Sequence, residues 1–591
     1  MQTKKLVWAT AALAASGLVL TACGSGGGGT KTQKKSTFNA ALTAIVNPSS
    51  KKGGELKAQA SSDFDSLDPA RTYYAYSWDF QRLWQRTLLA FKPAPGLEGN
   101  KLEPDIATSL GKASADAKTW TYTLKKGIKF EDGTAVTSKD VKYAVERIFA
   151  GSIITGGPTY LDDLLSGQTP EYKGPYTDKT PDHMGLTTVD TPNDQTIVFH
   201  LNKPFSDFDY LMSIPGSTPV PSKVDLNPAT GGTKYAFRPV SVGPYKIASY
   251  TPNKSLKLVR NDQWDPSTDS LRKALPDTVN VTMGLDPIVM DNNLFAGTYD
   301  LTIDGFGLQQ ADVPKASTTP EIKARSDNGP GVAMRYISIQ QEVAPLNNVH
   351  CRRAVQYAAD KVALQYARGG PVAGGKIEGS MVVPSLNSYE KDYIPYPSGA
   401  DNKGNLDKAK EELAACGKPG GFKVNMATTN KGKGPLVATA LQQALKRVNI
   451  DVNIEQVDAA NYYSGFIGSR TNVKAKKLGL AVAGWGPDFP TEYGYWESII
   501  DGAVLKRDVS SNYAALDDPA INADIKNAIE STDAKKKAKL WIDVSHRVMD
   551  SAVLLPFVSD IALGVHSARV TNVSFAPTFG LYDYMNVGVV S

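Results

Sequence analysis

Asp488 draws attention because it follows an apolar run that ends abruptly in glycines and prolines. The run and the residues after it read AVAGWGPDFPTEY over 481–493, with Asp488 between Pro487 and Phe489. One interpretation makes Asp488 a turn residue whose carboxylate bonds its own backbone. The other places it just past the carboxyl end of a buried strand, where open α/β sheets bind their ligands. The residue types alone leave both interpretations open.

The sequence lacks the side-chain patterns that enzymes need. No nucleophile elbow, phosphate-binding loop or dinucleotide glycine motif occurs at a strand-to-helix junction. The glycine-rich stretch at 369–375 lacks the lysine and hydroxyl of a phosphate loop, and Asp162 and Asp163 are adjacent rather than opposed. The histidines are scattered without metal-ligand spacing, at His183, His200, His350, His546 and His566. We therefore predict no catalysis, no metal and no cofactor.

A β-α-β unit is predicted directly before Asp488. Apolar residues alternate in GFKVNMAT and again in NIDVNIEQV, and PLVATALQQALKRV between them has helical spacing, all within 421–457. This order favours a parallel, right-handed crossover. The next apolar stretch, LGLAVAG at 478–484, does not alternate, as expected of a strand covered on both faces.

Two further segments show strand and helix patterns. Residues 118–149 pass from alternation through an Asp132-Gly133 turn to a helix that Thr137 or Ser138 can cap. A second helical pattern follows the asparagine pair at 347–348 and continues to Val362. Mixed strands and helices without a repeat period indicate an α/β chain.

The N-terminus predicts export and lipidation. Lys4 and Lys5 precede a short apolar segment, which fits a cleavable signal peptide at 1–22. The segment ends Leu-Thr-Ala-Cys, which resembles the lipobox of bacterial lipoproteins, where Cys23 would carry the lipid. An ordinary secretory signal with an accidental cysteine is the alternative. Residues 23–54 are rich in Gly, Ser, Thr and Lys and are predicted to be a flexible tether that reaches about 30 Å.

The composition limits the possible domain number and partners of the remaining roughly 540 residues. The chain is 41% apolar, enough for a large core but too long for one domain. Loss of Lys4 and Lys5 with the signal would lower the formal charge from +5 to +3. No basic stripe interleaved with aromatics appears, so we predict no nucleic-acid partner.

Cys351 and Cys416 are the cysteines that follow the N-terminal region. In an exported chain they can form a disulfide that stabilises the fold by roughly 2–4 kcal/mol. Alternatively both are reduced core thiols, because Cys351 shares the apolar face of its helix and Cys416 follows Leu413 by three positions. The sequence supports the two states equally.

Six landmarks follow one another along the chain: SLDPA at 66–70, FEDGTAVTSKDVKYAVERI at 130–148, SVGPYKIASY at 241–250, LVRNDQWDP at 258–266, NNVHCRRAVQYAADK at 347–361 and VLLPFV at 553–558. Together and in this order they resemble family 5 of the extracellular solute-binding proteins of ABC importers, the peptide-binding group. Within the second landmark, Tyr143-Ala144 departs from the hydroxyl-bearing form that is most common in the family.

The resemblance implies a periplasmic-binding-protein-like α/β fold of two lobes that enclose the ligand. It also implies a discontinuous first lobe with an added subdomain. The expected boundaries are 55–89, 238–330 and 557–591 for the first-lobe core, 90–237 for the added subdomain and 331–556 for the second lobe.

In peptide-binding members of the family, a GW-x-x-D segment supplies the ligand site. The resemblance implies that backbone groups at Gly484, Trp485 and Gly486 pair with an extended peptide, and that Asp488 meets its N-terminal ammonium. Pro487 has no N–H and would shorten the ladder. Tyr74, Tyr76 and Trp78 are candidate cleft aromatics from the other lobe, and core packing explains these three side chains equally well.

We therefore expect a monomeric, lipid-anchored receptor, held outside the cytoplasm on the cell membrane. It would capture an oligopeptide or dipeptide and deliver it to a permease powered by a separate ATPase. The alternatives are the same fold binding an oligosaccharide, nickel or another cationic small molecule, and a signalling or adhesion lipoprotein without import. No residue could be assigned to the ligand carboxylate.

Overall fold

This computed structural model describes residues 37–329, 331–531 and 533–590. The predicted signal peptide at 1–22 and the lipidation residue Cys23 lie outside these ranges and remain predictions. Across the described ranges, no helix is long and apolar enough to cross a membrane. Strands and helices are mixed along the chain, which confirms the predicted α/β class.

A five-stranded sheet forms the core of the first lobe. The strand Glu55–Gln59 runs parallel to Thr278–Thr282, and the apolar side chains of both strands alternate into one buried layer. Neighbouring strands therefore come from distant parts of the chain, and the first lobe is discontinuous as predicted. In spatial order the strands are Leu301–Thr302, Glu55–Gln59, Thr278–Thr282, Ser255–Arg260 and Tyr245–Thr251.

A six-stranded sheet forms the second lobe and contains the predicted β-α-β unit. Phe422–Thr429 pairs in parallel with Ile450–Val457, and the helix Gly434–Lys446 connects them. Leu478–Trp485, here named the site strand, is largely buried next to Phe422–Thr429, as its uniform apolar run predicted. The spatial order is Lys376–Ile377, Leu554–Ser559, Met334–Ile339, Leu478–Trp485, Phe422–Thr429 and Ile450–Val457.

The added subdomain contains a four-stranded antiparallel sheet and the predicted helix Ser138–Ile148. Thr137 caps this helix, and its backbone N–H donates to Asp140 at 2.7 Å. Arg147, near the end of the helix, is fully buried and pairs with Asp68 of the first lobe at 2.7 Å. The sheet strands are Lys112–Ala113, Thr119–Thr123, Thr196–His200 and Val189–Asn193.

The remaining elements surround these sheets. The helical pattern that the sequence extends to Val362 is two helices, because Ala359 is extended and Asp360 caps the second. The longer helices outside the units above are Ala75–Gln81, Pro287–Ala296, Val349–Ala358, Lys361–Arg368, Leu406–Ala415, Arg470–Lys476, Glu492–Ile500, Pro519–Glu530 and Ala534–Asp550. Short strand pairs are Leu89–Phe91 with Leu102–Pro104, Ser326–Asn328 with Leu563–Val565, Val570–Thr571 with Gly588–Val589 and Phe575–Ala576 with Leu581–Tyr582.

The structure corrects the predicted extent of the tether. Residues 37–54 pack against the folded chain rather than forming a free linker. Val46 is buried and forms a β-bridge with Val573, and the backbone N–H of Ala41 donates to Asp327 at 2.9 Å. Buried apolar side chains hold this part of the chain in place, which composition alone did not reveal.

The predicted end of the second lobe, at 556, falls inside the strand Leu554–Ser559. Hydrogen bonding to the second-lobe sheet continues to Ser559, opposite Met334. The predicted boundary at 89 likewise falls inside Leu89–Phe91. The other domain limits remain predictions.

Candidate functional site

A cavity of about 300 Å³ lies between the two lobes, at the end of the site strand. Its lining includes Tyr73 to Tyr76 from the first lobe, Gly156 and Gly157 from the added subdomain and Val482 to Asp488 from the second lobe. This volume falls in the range of small-molecule sites. Among the described residues, no group of three or more His, Cys, Asp or Glu side chains could hold a metal ion.

The site strand loses one of its two neighbours as it enters the cavity. On one side it pairs with Met334–Ile339 as far as Trp485. On the other side its pairing with Phe422–Thr429 ends at Ala481. The hydroxyl of Tyr462 donates to the carbonyl of Val482 at 2.8 Å, just past that point. Backbone from 483 onward therefore borders the cavity on this side without a neighbouring strand.

Asp488 receives hydrogen bonds from two tyrosines of the opposite side of the cleft. The hydroxyls of Tyr73 and Tyr160 each lie 2.7 Å from Oδ2 of Asp488. The backbone N–H of Asp488 donates to the carbonyl of Gly494 at 2.9 Å. No backbone group of the described chain donates to the carboxylate, so the turn interpretation is wrong for this side chain.

The surroundings of Asp488 raise the pKa of its carboxyl group. Burial raises its pKa to about 7, although the hydrogen bonds from Tyr73 and Tyr160 act in the opposite direction. No lysine, arginine or histidine of the described chain forms an ion pair with Asp488. Nearby Glu497 is also buried, and burial raises its pKa well above the usual range. The site thus offers a carboxyl group that no cation of residues 37–329, 331–531 and 533–590 pairs with.

The three predicted cleft aromatics all line the cavity. Tyr74 is half-buried, and its hydroxyl donates across the cleft to the carbonyl of Ala459 at 3.0 Å. Tyr76 and Trp78 are buried and bond the backbone of their own lobe, through Asp63 and Thr72 respectively. The cleft and core interpretations therefore both apply, with Tyr74 the most open of the three.

Tyr73 is one of the cavity aromatics that the sequence interpretation missed. Its ring stacks on Trp78 at 5.5 Å and meets Trp485 edge-on at 5.7 Å, so it joins the two lobes by packing as well as by hydrogen bonding. Trp485 is 9% exposed and donates its indole N–H to the carbonyl of Tyr495 at 2.7 Å. Trp485 therefore forms part of the cavity wall.

The two predicted site glycines differ in what they contact. A Cβ atom at Gly484 would lie 2.2 Å from Nη1 of Arg335, because the arginine side chain crosses the glycine. A Cβ atom at Gly486 would find its nearest atom, the carbonyl oxygen of Val332, at 3.5 Å. The packing of Arg335 therefore requires the absence of a side chain only at Gly484.

A cluster of charged residues forms another part of the cavity wall. Arg335 and Arg368 each lie within 2.7 Å of a carboxylate oxygen of Asp560. Burial acts to raise the pKa of Asp560, but the two arginines outweigh it and hold the pKa well below the usual range. Lys433 also lines the cavity, and burial together with Arg368 lowers its pKa to about 7. We call Arg335, Arg368, Lys433 and Asp560 the charged cluster.

The thiols of Cys351 and Cys416 lie within bonding reach of each other, with their Cα atoms 5.3 Å apart. Cys351 is fully buried in the helix Val349–Ala358, and Cys416 follows the helix Leu406–Ala415. This separation is typical of a disulfide, so the geometry supports the bridged alternative.

Two lobes of mixed sheets and helices around a cleft define the class of two-lobed binding proteins. The sequence model of the protein family "Bacterial extracellular solute-binding proteins, family 5 Middle" matches residues 101–504. The chain belongs to this family of solute-binding proteins.

Similar proteins include both curated sequences and solved structures. The structure "Clavulanic acid biosynthesis oligopeptide binding protein 2" has 44% identity and a TM-score of 0.84, covering 94% of this chain and 99% of that one. The probable D,D-dipeptide-binding periplasmic protein DdpA of Escherichia coli K12 is 24% identical, over 83% of this chain and 86% of its own. The Helicobacter pylori periplasmic binding protein DppA, in complex with the peptide STSA, has 21% identity and a TM-score of 0.75, covering 92% and 99%.

Proposed function

We propose that this protein captures an oligopeptide or dipeptide in its inter-lobe cleft and delivers it to the permease of an ABC importer. We further propose that the mature chain is a monomer held on the outer side of the cell membrane by lipid at Cys23. The observation that carries the ligand assignment is the carboxyl group of Asp488, which lies in the cavity wall beside two tyrosine hydroxyls and forms no ion pair with any described residue.

A peptide ammonium would complete the surroundings of Asp488. An incoming positive charge favours the ionised carboxylate and offsets the burial that disfavours it. Burial of the ammonium costs desolvation free energy, which a carboxylate beside it would offset. Tyr73 and Tyr160 both bond Oδ2, so Oδ1 is available to a ligand donor.

The end of the site strand would receive the peptide backbone. From 483 onward, one edge of this strand borders the cavity without a neighbouring strand, so an extended peptide could continue the sheet there. Pro487 supplies no N–H, and the ladder would end at Gly486. Main-chain bonding of this kind gives affinity that depends little on ligand side chains.

Native mass spectrometry of the purified protein tests the ligand assignment directly. We expect a retained or added peptide, which fragmentation of the released species would identify. An oligosaccharide or another non-peptide solute in the cleft would contradict the proposal. Uptake of labelled peptide by cells that lack the gene tests import: we expect a loss that the wild-type gene restores, and unchanged uptake would favour a receptor without transport.

A further inference from the structure

The charged cluster has more positive than negative charge. Three cationic side chains, Arg335, Arg368 and Lys433, share one carboxylate, that of Asp560. Both arginines bond Asp560, whereas Nζ of Lys433 has no hydrogen-bond partner among the described residues. Buried charges are ordinarily paired, so the cluster lacks a partner of negative charge.

Lys433 is the residue of the cluster most in need of a partner. Lys433 is 2% exposed and lines the cavity, and its Nζ has no hydrogen-bond acceptor in the part of the chain that the structure describes. Asp291 also influences Lys433, but burial raises the pKa of Asp291 to about 8, so that carboxyl group is mostly uncharged at neutral pH. An anion beside Nζ would favour the charged ammonium and relieve this unpaired state.

The backbone around Lys433 is arranged as anion sites commonly are. Lys433 is the N-cap of the thirteen-residue helix Gly434–Lys446, whose positive dipole end therefore lies at the cavity. Thr428, at the end of the preceding strand, lines the same wall and has a buried hydroxyl without a hydrogen-bond partner. A Cβ atom at Gly434 would lie 2.8 Å from that hydroxyl, so strand end and helix start are closely packed.

We propose that Lys433, Arg335 and Arg368, with Thr428 and the start of the helix Gly434–Lys446, form an anion subsite that prefers a ligand end with two negative charges. The proposal rests on the proposed function for the identity of the ligand. With Lys433 charged, the three cations and Asp560 have a net charge of +2. A ligand end with one negative charge would leave the cluster positive, whereas an end with two negative charges would neutralise it. A carboxyl-terminal acidic residue, with its two carboxylates, and a terminal phosphonate both supply this chemistry.

Calorimetry with matched peptides measures the preference. Four peptides of one length would differ only at the carboxyl-terminal residue. This residue would be glutamate, glutamine, glutamine with an amidated terminal carboxyl group, or a residue with a terminal phosphonate. We expect the glutamate peptide to bind at least fivefold more tightly than the glutamine peptide, and the amide to bind most weakly. The stronger of the glutamate and phosphonate peptides identifies the source of the charge. Equal affinity for the glutamate and glutamine peptides would overturn the subsite.

Lys433→Met, with Lys446→Met as a matched control, tests the residue. Lys446 lies at the other end of the same helix, is exposed and pairs with Asp451, so its loss should leave the preference intact. Lys433→Met should reduce the glutamate-to-glutamine ratio to below twofold without lowering Tm, because methionine removes an unpaired buried cation. A ratio that persists in Lys433→Met would contradict the proposal.

Inorganic phosphate tests the subsite without any peptide. At matched ionic strength, phosphate should raise Tm relative to chloride in the wild type and in Lys446→Met, and by less in Lys433→Met. If no peptide binds but this difference is found, the proposed function fails and the subsite stands. If no peptide binds and phosphate acts equally on all three proteins, both fail.

Discussion

The side chain of Arg335 crosses the Cα atom of Gly484, so that a methyl group on this glycine would lie 2.2 Å from the guanidinium. The two residues face each other on neighbouring antiparallel strands. The glycine in the GW-x-x-D segment therefore has a role within the protein itself: it provides the space in which the guanidinium can reach Asp560.

Gly484→Ala should displace Arg335 and weaken ligand binding by roughly tenfold. Overpacking at a tight contact of this kind typically lowers stability by about 1–3 kcal/mol. Gly486→Ala is the matched control, because a Cβ atom there has room. Calorimetry and thermal unfolding of both variants would check this prediction, and equal behaviour would show that Arg335 does not depend on Gly484.

Asp488→Asn should weaken binding of peptides with a free amine more than binding of their N-acetylated forms. The amide keeps the size of the side chain but cannot pair with an ammonium as a charge. We expect a loss of about tenfold or more for the free amine in calorimetry. Asp262→Asn, at an exposed residue, is the control. Equal losses for the two peptide forms would exclude an ammonium at Asp488.

Binding of a free-amine peptide should weaken as pH falls from 8 to 5. The pKa of Asp488 is about 7 in the unliganded site, so below this pH the carboxyl is protonated and must lose its proton to pair with an ammonium. The loss would approach tenfold per pH unit. The test peptide should have an amidated carboxyl terminus. A free carboxylate would interact with Lys433, whose charge decreases above its pKa of about 7, and binding would then also weaken as the pH rises. The N-acetylated peptide should show a flat profile.

Peptide mapping without reduction should find Cys351 joined to Cys416. The bridge would close a loop with a sequence separation of 65 residues, for which chain entropy gives about 4 kcal/mol of stabilisation. The double variant Cys351→Ser/Cys416→Ser should therefore unfold at lower denaturant concentration than the wild type. Recovery of both cysteines as free thiols from unreduced protein would contradict this prediction.

Arg147→Leu should destabilise the protein by about 3–5 kcal/mol, because it leaves two buried carboxylates, Asp68 and Asp225, without their cation. The pair Lys101–Glu98, in which both side chains are exposed, provides the comparison, and Lys101→Ala should cost far less. Urea unfolding of the two variants would measure both values. Similar losses would mean that the buried network contributes no more than a surface pair.

Local periodicity predicted the elements that position the site. The β-α-β unit over 421–457 and the helix Ser138–Ile148 follow from spacings of two and of three to four residues, which neighbouring positions determine. The helix end at Ala358 was missed because helical spacing continues through Ala359 while Asp360 starts a new helix. The packed state of residues 37–54 depends on contacts with the far end of the chain.

The cavity wall was only partly predictable, because it too depends on contacts between distant parts of the chain. Asp488 and Trp485 lie in one short segment and could be chosen together. Arg368 and Lys433 reach the cavity, and Tyr160 reaches Asp488, through the folding of distant segments. No spacing in the sequence connects these three residues. Arg335 had one weak signal, because it is the charged residue in the otherwise buried strand Met334–Ile339.

The contact between Tyr73 and Trp485 gives the protein an internal optical reporter. The two rings come from different lobes and meet edge-on at 5.7 Å, so opening of the cleft must separate them and admit water to the indole. Emission from Trp485 should then move to longer wavelength. Because the chain has eight tryptophans, the contribution of Trp485 is the part of the emission that the variant Trp485→Phe lacks. Rapid mixing could use this part to follow the average opening and closing of the cleft without any added label.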